Sequence, residues 1–556
     1  MPDLSNAQVA DTLDTYARLL ELTSGSPFRI RAYQRAAEAI RFLEEPVTAV
    51  NRAGRLQTIP GVGTGLAAAI SELLATGEYR PLAELQEQIP RSVLELLATP
   101  GVGAKTAGRL FQEFGIRDLA GLEEAIELGT LQGPGLGAKT VEKIAAGLAS
   151  LKRRTGRIRL GRALPAAQQL ALAIHDALPD ATVAISGSVR RMMDTVSDLD
   201  LVVAADDGET AATRIEELAL VTQTRERRPG SLRLALSNGL LADVFVVPFE
   251  VFGRALVEAT GSRAHLELLG PLPPAPTEAA VYAALGLPWI PPELRQGRDE
   301  VTLAREGRLP NLITRPDMRG EFHCHTTWSD GAVSVGAMAA AAAQRGYEYL
   351  AITDHSRSLA VANGLDVARL AAQREVIVEL NRTSPIRVLA GSEVEVHRDG
   401  RLDYDDATLA RLDIVVASLH SGLRQPREEL TDRLVRVLEN PNVDIIAHPS
   451  GRLIEQREGG DFDWDRAFAV AARTGTALEI NADPARLDLS SDLARRALAA
   501  GCLLTINCDA HHPDGFDLIE YGLGTARRAG VTPDRVLNTW PRDRLLAWLR
   551  GRGADG

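Results

Sequence analysis

Gly187-Ser188-Val189-Arg190-Arg191, followed by Asp198-Leu199-Asp200-Leu201-Val202-Val203, is the stretch from which the rest of the chain is read. On a β-strand alternate side chains share a face, so Asp198 and Asp200 point the same way while Leu199 and Leu201 enter a core. Paired carboxylates suit a divalent cation. The tight turn ahead of them exposes backbone N–H groups to a triphosphate, with Arg190 or Arg191 as a bidentate partner. An isolated acid-x-acid pair is ordinarily a solvated strand; turn, arginines and pair together point to chemistry on phosphates. A helix over 164–178 and a strand over 181–185 deliver the turn. Downstream, the apolar strand 240–247 carries the lone carboxylate Asp243. A buried unpaired Asp is costly, so Asp243 is expected to join Asp198 and Asp200 around metal. Three carboxylates holding two Mg²⁺ or Mn²⁺ ions would activate an attacking 3′-oxygen and neutralise a departing pyrophosphate.

Working back toward the start, amphipathic periodicity predicts helices over 7–23 and 28–43. A pattern then repeats: Ile59-Pro60-Gly61-Val62-Gly63, Thr99-Pro100-Gly101-Val102-Gly103-Ala104-Lys105-Thr106, and Gly133-Pro134-Gly135-Leu136-Gly137-Ala138-Lys139-Thr140, each ahead of a helix-like run. Such recurrence marks duplicated units. A Pro-Gly-apolar-Gly hairpin between helices leaves N–H groups at a helix N-terminus unpaired, and these hold a phosphate without reading a base. The pattern resembles the helix-hairpin-helix motif of DNA repair proteins, which makes Gly61, Gly63, Gly101, Gly103, Lys105, Gly135, Gly137 and Lys139 the expected DNA contacts. Between Lys152 and Arg162 lie six basic residues and no acid, a linker able to touch phosphates.

The chain's 556 residues exceed what one core can organise, so about three domains are expected. A net charge of −12 excludes a globally basic nucleic-acid coat but leaves local basic patches open. Cys324, Cys502 and Cys508 are too few, and odd in number, for a disulfide framework. No apolar run reaches a membrane span and no secretory h-region follows Met1, so a cytoplasmic, monomeric protein is expected.

The combination of Gly-Ser-x-Arg-Arg, Ser-Asp-x-Asp, Asp243 and Thr260-Gly261-Ser262, preceded by helix-hairpin-helix modules, resembles the family X DNA polymerases, the group that includes eukaryotic polymerase beta. The resemblance implies gap-filling synthesis in base excision repair on gapped or nicked duplex with dNTPs. It implies metal ligation by Asp198, Asp200 and Asp243, and contact of the incoming nucleotide with Gly187, Ser188, Arg190, Arg191, Thr260, Gly261 and Ser262. This chain also departs from the family. The lyase lysine falls on Ala69 and a neighbouring lysine on Gly65, so no Schiff base forms there. The aromatic pair ahead of Thr-Gly-Ser is Glu258-Ala259. Leu266 stands where an Asn is expected after His265, and Pro271, Pro273, Pro274 and Pro276 exclude a regular helix. A reduced thumb is expected, with 281–298 and 309–316 read as a connector.

Beyond residue 317 apolar strands end repeatedly in ligand-type residues: Glu321 to His325, Leu350 to His355, Val388 to Glu393, Val415 to His420, Asp444 to His448 and Leu503 to His511. A further strand, Ala477 to Asn481, shows no obvious ligand. Seven strands alternating with helices indicate a parallel β/α barrel with its functional groups at the strand C-terminal ends. Eight of ten histidines lie between 323 and 512, six of them at strand ends. The set resembles the PHP (polymerase and histidinol phosphatase) domain, whose metal pattern is filled by His323, His325, Asp330, His355, Glu393, His420, His448, Asp509 and His511. Mixed imidazole and carboxylate donors suit two or three Mn²⁺, Zn²⁺ or Fe²⁺ ions. Arg452 is the candidate phosphate contact; His397 and His512 are read as spectators.

The expected architecture is therefore multidomain. It comprises an all-α helix-hairpin-helix region (1–155), an α/β nucleotidyltransferase palm with a reduced thumb and linker (156–316), and a PHP (β/α)7 barrel (317–556). The expected activity is metal-dependent nucleotidyl transfer combined with 3′–5′ exonuclease, 3′-end or abasic-site processing. The alternatives are a phosphoesterase with a weak or silent polymerase core, a small-molecule phosphomonoesterase, or a DNA-binding scaffold.

Overall fold

The computed structural model describes residues 4, 6–23, 26–41, 46–59, 61–99, 101–131, 136–154, 157–359 and 362–552. The chain divides into two compact units, Met1–Gly156 and Arg157–Gly556. The expected boundary near 155 lies close to that division, whereas the palm and barrel segments, read as separate domains, form a single unit.

Among its described residues the first unit is helical, with two cores. One gathers Val9, Leu13, Tyr16, Tyr33, Ile40, Ile59, Val62 and Ile70; the other gathers Leu19, Leu22, Val93, Val102, Leu110, Leu136 and Ile144. The hairpins owe their shape to glycine. Gly61 (φ +84°) and Gly101 (φ +93°) take left-handed conformations, and Val62 and Val102 donate N–H bonds back to Ile59 and Thr99. The buried valine anchors each turn while its flanking glycines face outward. Helices Thr64–Thr76 and Ala104–Phe114 follow, each closed by a left-handed glycine, Gly77 and Gly115. Helix Ala138–Arg154 follows the third repeat. Lys105 and Lys139 are exposed, as is Gly137. Pro60, Pro100, Gly133, Pro134, Gly135, Thr155 and Gly156 lie outside the described residues.

In the second unit the strands, in chain order, are β1 (Ile158–Arg159), β2 (Thr182–Ile185), β3 (Thr195–Val196), β4 (Leu199–Ala204), β5 (Val221–Arg228), β6 (Ser231–Leu236) and β7 (Leu241–Val247). The barrel adds β8 (Gly320–Glu321), β9 (Tyr349–Ile352), β10 (Arg387–Glu395), β11 (Ile414–Ser418), β12 (Ile445–Ile446), β13 (Ala477–Asn481) and β14 (Leu504–Asn507). Among the described residues the palm sheet has the order β2-β4-β7-β6-β5, with β4 and β7 parallel and the other pairs antiparallel. Helices Leu160–Ala177 and Gly208–Glu216 contribute to the core that covers it. β1 pairs with β3 beside this sheet.

The expected connector is better described as a small packed subdomain. Among the described residues, helices Phe252–Thr260, Arg263–Leu269, Glu278–Ala284 and Glu300–Arg305 enclose a core of Val257, Leu269, Val281, Tyr282, Ile290 and Val301. The proline run itself forms no helix, as its blocked N–H groups require. The short amphipathic segments after it are legible in sequence only as punctuation because each is below two turns.

The barrel strands run parallel in the order β14-β13-β12-β11-β10-β9-β8. The two ends of that row meet where Cys324 bridges Ala510 and His325 N–H donates to the Ala510 carbonyl (2.9 Å), which nearly closes the barrel. Strand alternation separates two cores. Tyr349, Ala351, Leu389, Val416, Ile445 and Ala477 pack with Leu537 and Trp540, while Leu350, Ile352, Val388, Val415, Ile446 and Leu478 face the helices. Along β10 and β13 the first set leads by steps of two to Glu393 and Glu479.

Candidate metal centres

The palm site is set by register. Asp200 and Asp243 are direct partners across the parallel pair β4–β7, and Asp198 precedes Asp200 by one full pleat. Arg233, opposite Asp243 on β6, reaches its Oδ2 at 3.1 Å and Asp198 Oδ2 at 3.6 Å. Gly187 (φ +63°) lies so close that a Cβ would stand 1.8 Å from Asp200 Oδ2, so only glycine fits between turn and carboxylate. Burial, together with the charges of Asp198 and Asp243, pushes the Asp200 carboxyl up to about 7. Burial also raises Asp243, with Arg233 opposing. Three oxygen donors that repel one another fit a hard divalent cation.

The arginines divide differently from expectation. Arg190 is committed to a bidentate ion pair with Glu278 (2.8 Å to each oxygen) and donates to Thr260 Oγ1 at 3.0 Å. Glu278 is shared with the fully buried Arg295 (2.6 Å). Arg190 is thus a strut between the palm and the small subdomain, because leaving the buried Glu278 carboxylate unpaired would be costly. Arg191 donates to the Thr260 carbonyl at 2.6 Å, while its buried Nε has no partner among the described residues. Ser188 is half-buried, Gly261 follows buried Thr260, and Ser262 caps the next helix through His265 N–H. The basic contacts that this turn can offer an anion therefore narrow from two arginines to Arg191.

In the barrel, Glu393 is the hub. Its oxygens lie 2.7 Å from His355 Nδ1, 3.1 Å from His448 Nε2, 3.3 Å from His420 Nε2 and 3.5 Å from His323 Nε2. Asp509 Oδ1 approaches His325 Nε2 at 3.0 Å, and Asp330 Oδ2 lies 3.5 Å from both His355 and His511. The donors form three overlapping groups: His325, Asp330, His355 and His511; His323, His325 and Glu393; His355, Glu393 and His420. Three buried ring nitrogens here, His323 Nε2, His325 Nδ1 and His448 Nδ1, have no hydrogen-bond partner among the described residues. Orphaned donors at such density fit residues that hold metal. Asp330, His420 and His511 are partly exposed and mark the mouth. His448 (φ +28°) and Asp509 (φ +53°) take left-handed conformations that break strand alternation and turn their side chains to the cluster.

Burial pulls His325 down to about 4, aided by the neighbouring His355 and His511. For His355 burial acts the same way, but Glu393 and Asp330 outweigh it and raise the ring to about 10. Glu393 and Asp509 sit well below the usual carboxylate range, burial being overcome by the histidines. Cation entry into such a site releases protons.

Several residues outside the expected set hold these ligands. Glu479 accepts from His323 Nδ1 (2.8 Å) and from the His448 N–H (2.6 Å). Asn481 donates to Asp509 Oδ2, and Glu395 pairs with His420 Nδ1 at 2.7 Å. Asp354 accepts from Thr326 and Ser329, which fixes the loop carrying Asp330. Glu479 carries a readable signal, a lone carboxylate in an apolar strand, the criterion that selects Asp243. Arg452 departs from its expected role: its guanidinium is bound to Asp194 Oδ2 (2.8 Å) and to the carbonyls of Arg486 and Leu487. His397 pairs with Asp403 and His512 caps a 3-10 turn.

Comparison with known proteins gives matches to both ends of the chain. A helix-hairpin-helix domain matches residues 4–79, a SAM-like helix-hairpin-helix tandem matches 53–115 and 93–150, and the PHP domain matches 321–482. Asp509 and His511 lie beyond that last match and join the cluster only through the fold. A protein of Bacillus subtilis (strain 168) described as DNA polymerase/3'-5' exonuclease PolX is 36% identical over 563 residues, covering 97% of this chain and 98% of that one. A probable phosphatase of Thermoanaerobacter sp. (strain X514) is 28% identical over 230 residues, 39% of this chain and 89% of its own. A probable phosphatase of Shewanella loihica is 30% identical over 246 residues, 42% of this chain and 95% of its own. With helix-hairpin-helix modules, a three-carboxylate palm and a PHP barrel in one chain, and a full-length relative at that identity, the chain belongs to the family X DNA polymerases that carry a C-terminal PHP domain.

Proposed function

We propose that the chain joins dNTPs to a 3′-end through its palm and removes 3′-terminal nucleotides through its barrel, acting on gapped or nicked DNA. The observation that carries the reading is the convergence of nine ligand-type side chains, three of whose buried ring nitrogens lack partners among the described residues, in the same compact unit as the Asp198–Asp200–Asp243 site. Mg²⁺ or Mn²⁺ at the palm, and Mn²⁺, Zn²⁺ or Fe²⁺ at the barrel, would supply Lewis acidity and a lowered water pKa. The protein's part is orientation. Asp198, Asp200 and Asp243 converge from two strands, Gly187 leaves the turn against them, and Glu479 and Glu395 fix the ring orientation of His323 and His420. The exposed Lys105, Lys139 and hairpin glycines support phosphate contact by the N-terminal unit. A phosphomonoesterase reading rests on relatives that match about two fifths of the chain and leaves the hairpins without a purpose.

The test is a gapped-duplex assay with dNTPs and Mg²⁺ or Mn²⁺ on wild type, Asp200→Ala and His325→Ala. Extension is lost in Asp200→Ala while 3′ degradation persists; His325→Ala shows the reverse. Extension by Asp200→Ala removes the palm assignment, and degradation by His325→Ala removes the barrel assignment.

A further inference from the structure

The short loop between the nucleotide turn and the metal strand is seated on the barrel. Met192 N–H donates to Val189 and Met193 N–H to Ser188, which stitches the loop to the turn on one side. On the other side Asp194 accepts Leu160 N–H through its carbonyl and leads through β3 to Asp198. The Asp194 carboxylate is clamped by two barrel arginines, Oδ1 by Arg528 Nη1 at 2.6 Å and Oδ2 by Arg452 Nη2 at 2.8 Å. Arg528 also reaches the Met192 carbonyl at 3.4 Å. A Cβ on Gly524 would fall 2.6 Å from Met192 Cε, so the barrel helix Ile519–Ala529 meets this loop at the closest approach glycine permits. The residue before Arg528, Arg527, binds Glu293 of the small subdomain at 2.6 Å. Met192 itself is held at φ +55°, a conformation its side chain disfavours and the surroundings must impose.

We propose that Asp194 is a positioning residue for nucleotidyl transfer: Arg452 and Arg528 clamp its carboxylate, and through the Met192–Asp194 loop the barrel sets where Ser188 and Arg191 stand relative to Asp198 and Asp200. The inference rests on the palm reading above. Asp194 lies six positions after Ser188 and four before Asp198, so the loop has little slack to absorb displacement of its middle. Because Arg452 follows His448 in the barrel loop, the same carboxylate touches the supports of both centres.

The test compares wild type, Asp194→Asn, Arg528→Gln and the double variant as full-length chains. Equilibrium binding of dATP with Ca²⁺ reads the nucleotide site without turnover, extension kinetics with Mn²⁺ give KM and kcat, and the thermal midpoint reports folding. Each single variant is expected to weaken dATP binding and raise KM about tenfold, with the chain still folded at the assay temperature and the double variant no worse than the stronger single. Arg528→Gln keeps its degradation of single-stranded DNA within about twofold. Singles that bind dATP like wild type overturn the inference, as do effects that multiply in the double variant or a parallel fall in binding, degradation and midpoint. Should Asp194→Asn not fold, Arg528→Gln decides alone. Wild type that binds no dATP removes the palm reading, and this inference with it.

Discussion

Replacing Glu278 by Gln should loosen the small subdomain and the base of the nucleotide turn together. Glu278 is nearly buried and receives Arg190 in bidentate fashion, Arg295 at 2.6 Å and Trp289 Nε1 at 3.2 Å. Burial alone would raise its carboxyl; Arg190 and Arg295 overcome that and hold it at about 2 instead of 4.5. At about 1.4 kcal/mol for each tenfold change in proton affinity, this corresponds to about 3 kcal/mol of preference for the charged form. Breaking a buried pair by removing one partner costs about 3–5 kcal/mol, since the fully buried Arg295 guanidinium would be left uncompensated. Two routes therefore agree on about 3 kcal/mol. The assay is amide hydrogen exchange by mass spectrometry, because a chain with several cores has no single unfolding free energy. Peptides covering 278–305 should exchange about a hundredfold faster in Glu278→Gln at neutral pH, while those of β9 to β14 do not change. The pH dependence has a definite sign. The folded carboxyl titrates below the unfolded one, so its contribution is complete above 4.5 and disappears as pH falls toward 2, and the variant lacks that step. Equal exchange in both proteins, or faster exchange spread over the barrel, would refute the strut.

Asp200 is held at about 7, above its ordinary 3.8, so the metal-free palm favours the protonated carboxyl. Mg²⁺ affinity measured by calorimetry at the palm of a His325→Ala protein should fall as pH drops below about 7, with proton release on binding; stability of the metal-free palm should decrease as pH rises from 3.8 through 7. Gly187→Ala puts a Cβ 1.8 Å from Asp200 Oδ2 at φ +63°, and extension should be abolished while 3′ degradation continues. Glu479→Gln removes the charge and leaves one acceptor oxygen for the two donors His323 Nδ1 and His448 N–H; barrel metal affinity should fall about 10–100-fold, read by metal retention after dialysis against graded chelator.

Much of the site is legible in the sequence because its signals are local. A carboxylate in an apolar strand, a histidine at a strand end and a glycine pair after a proline each violate the pattern around them, and Asp243, His448 and Gly101 stand out for that reason. What escapes a sequence reading is whatever depends on a partner far along the chain. Arg190 and Arg452 each carry the charge a phosphate contact needs, and nothing near them in sequence shows that Glu278 and Asp194 take their guanidiniums. Glu479 meets the criterion that selects Asp243, yet its purpose is hidden because its partner His323 lies 156 residues away. The proline-rich connector conceals a core because its helices are too short for periodicity to register.

The sequence by itself determined the inventory: helical hairpins, a strand with two acids on one face, and parallel strands ending in metal-type donors. Periodicity and residue chemistry fix these within a few residues of each position. Only the tertiary structure decided allegiance, which charges are spent inside the protein and which remain for a substrate. A charged group pairs with whichever opposite charge is buried beside it, and that neighbour is chosen by packing across hundreds of residues.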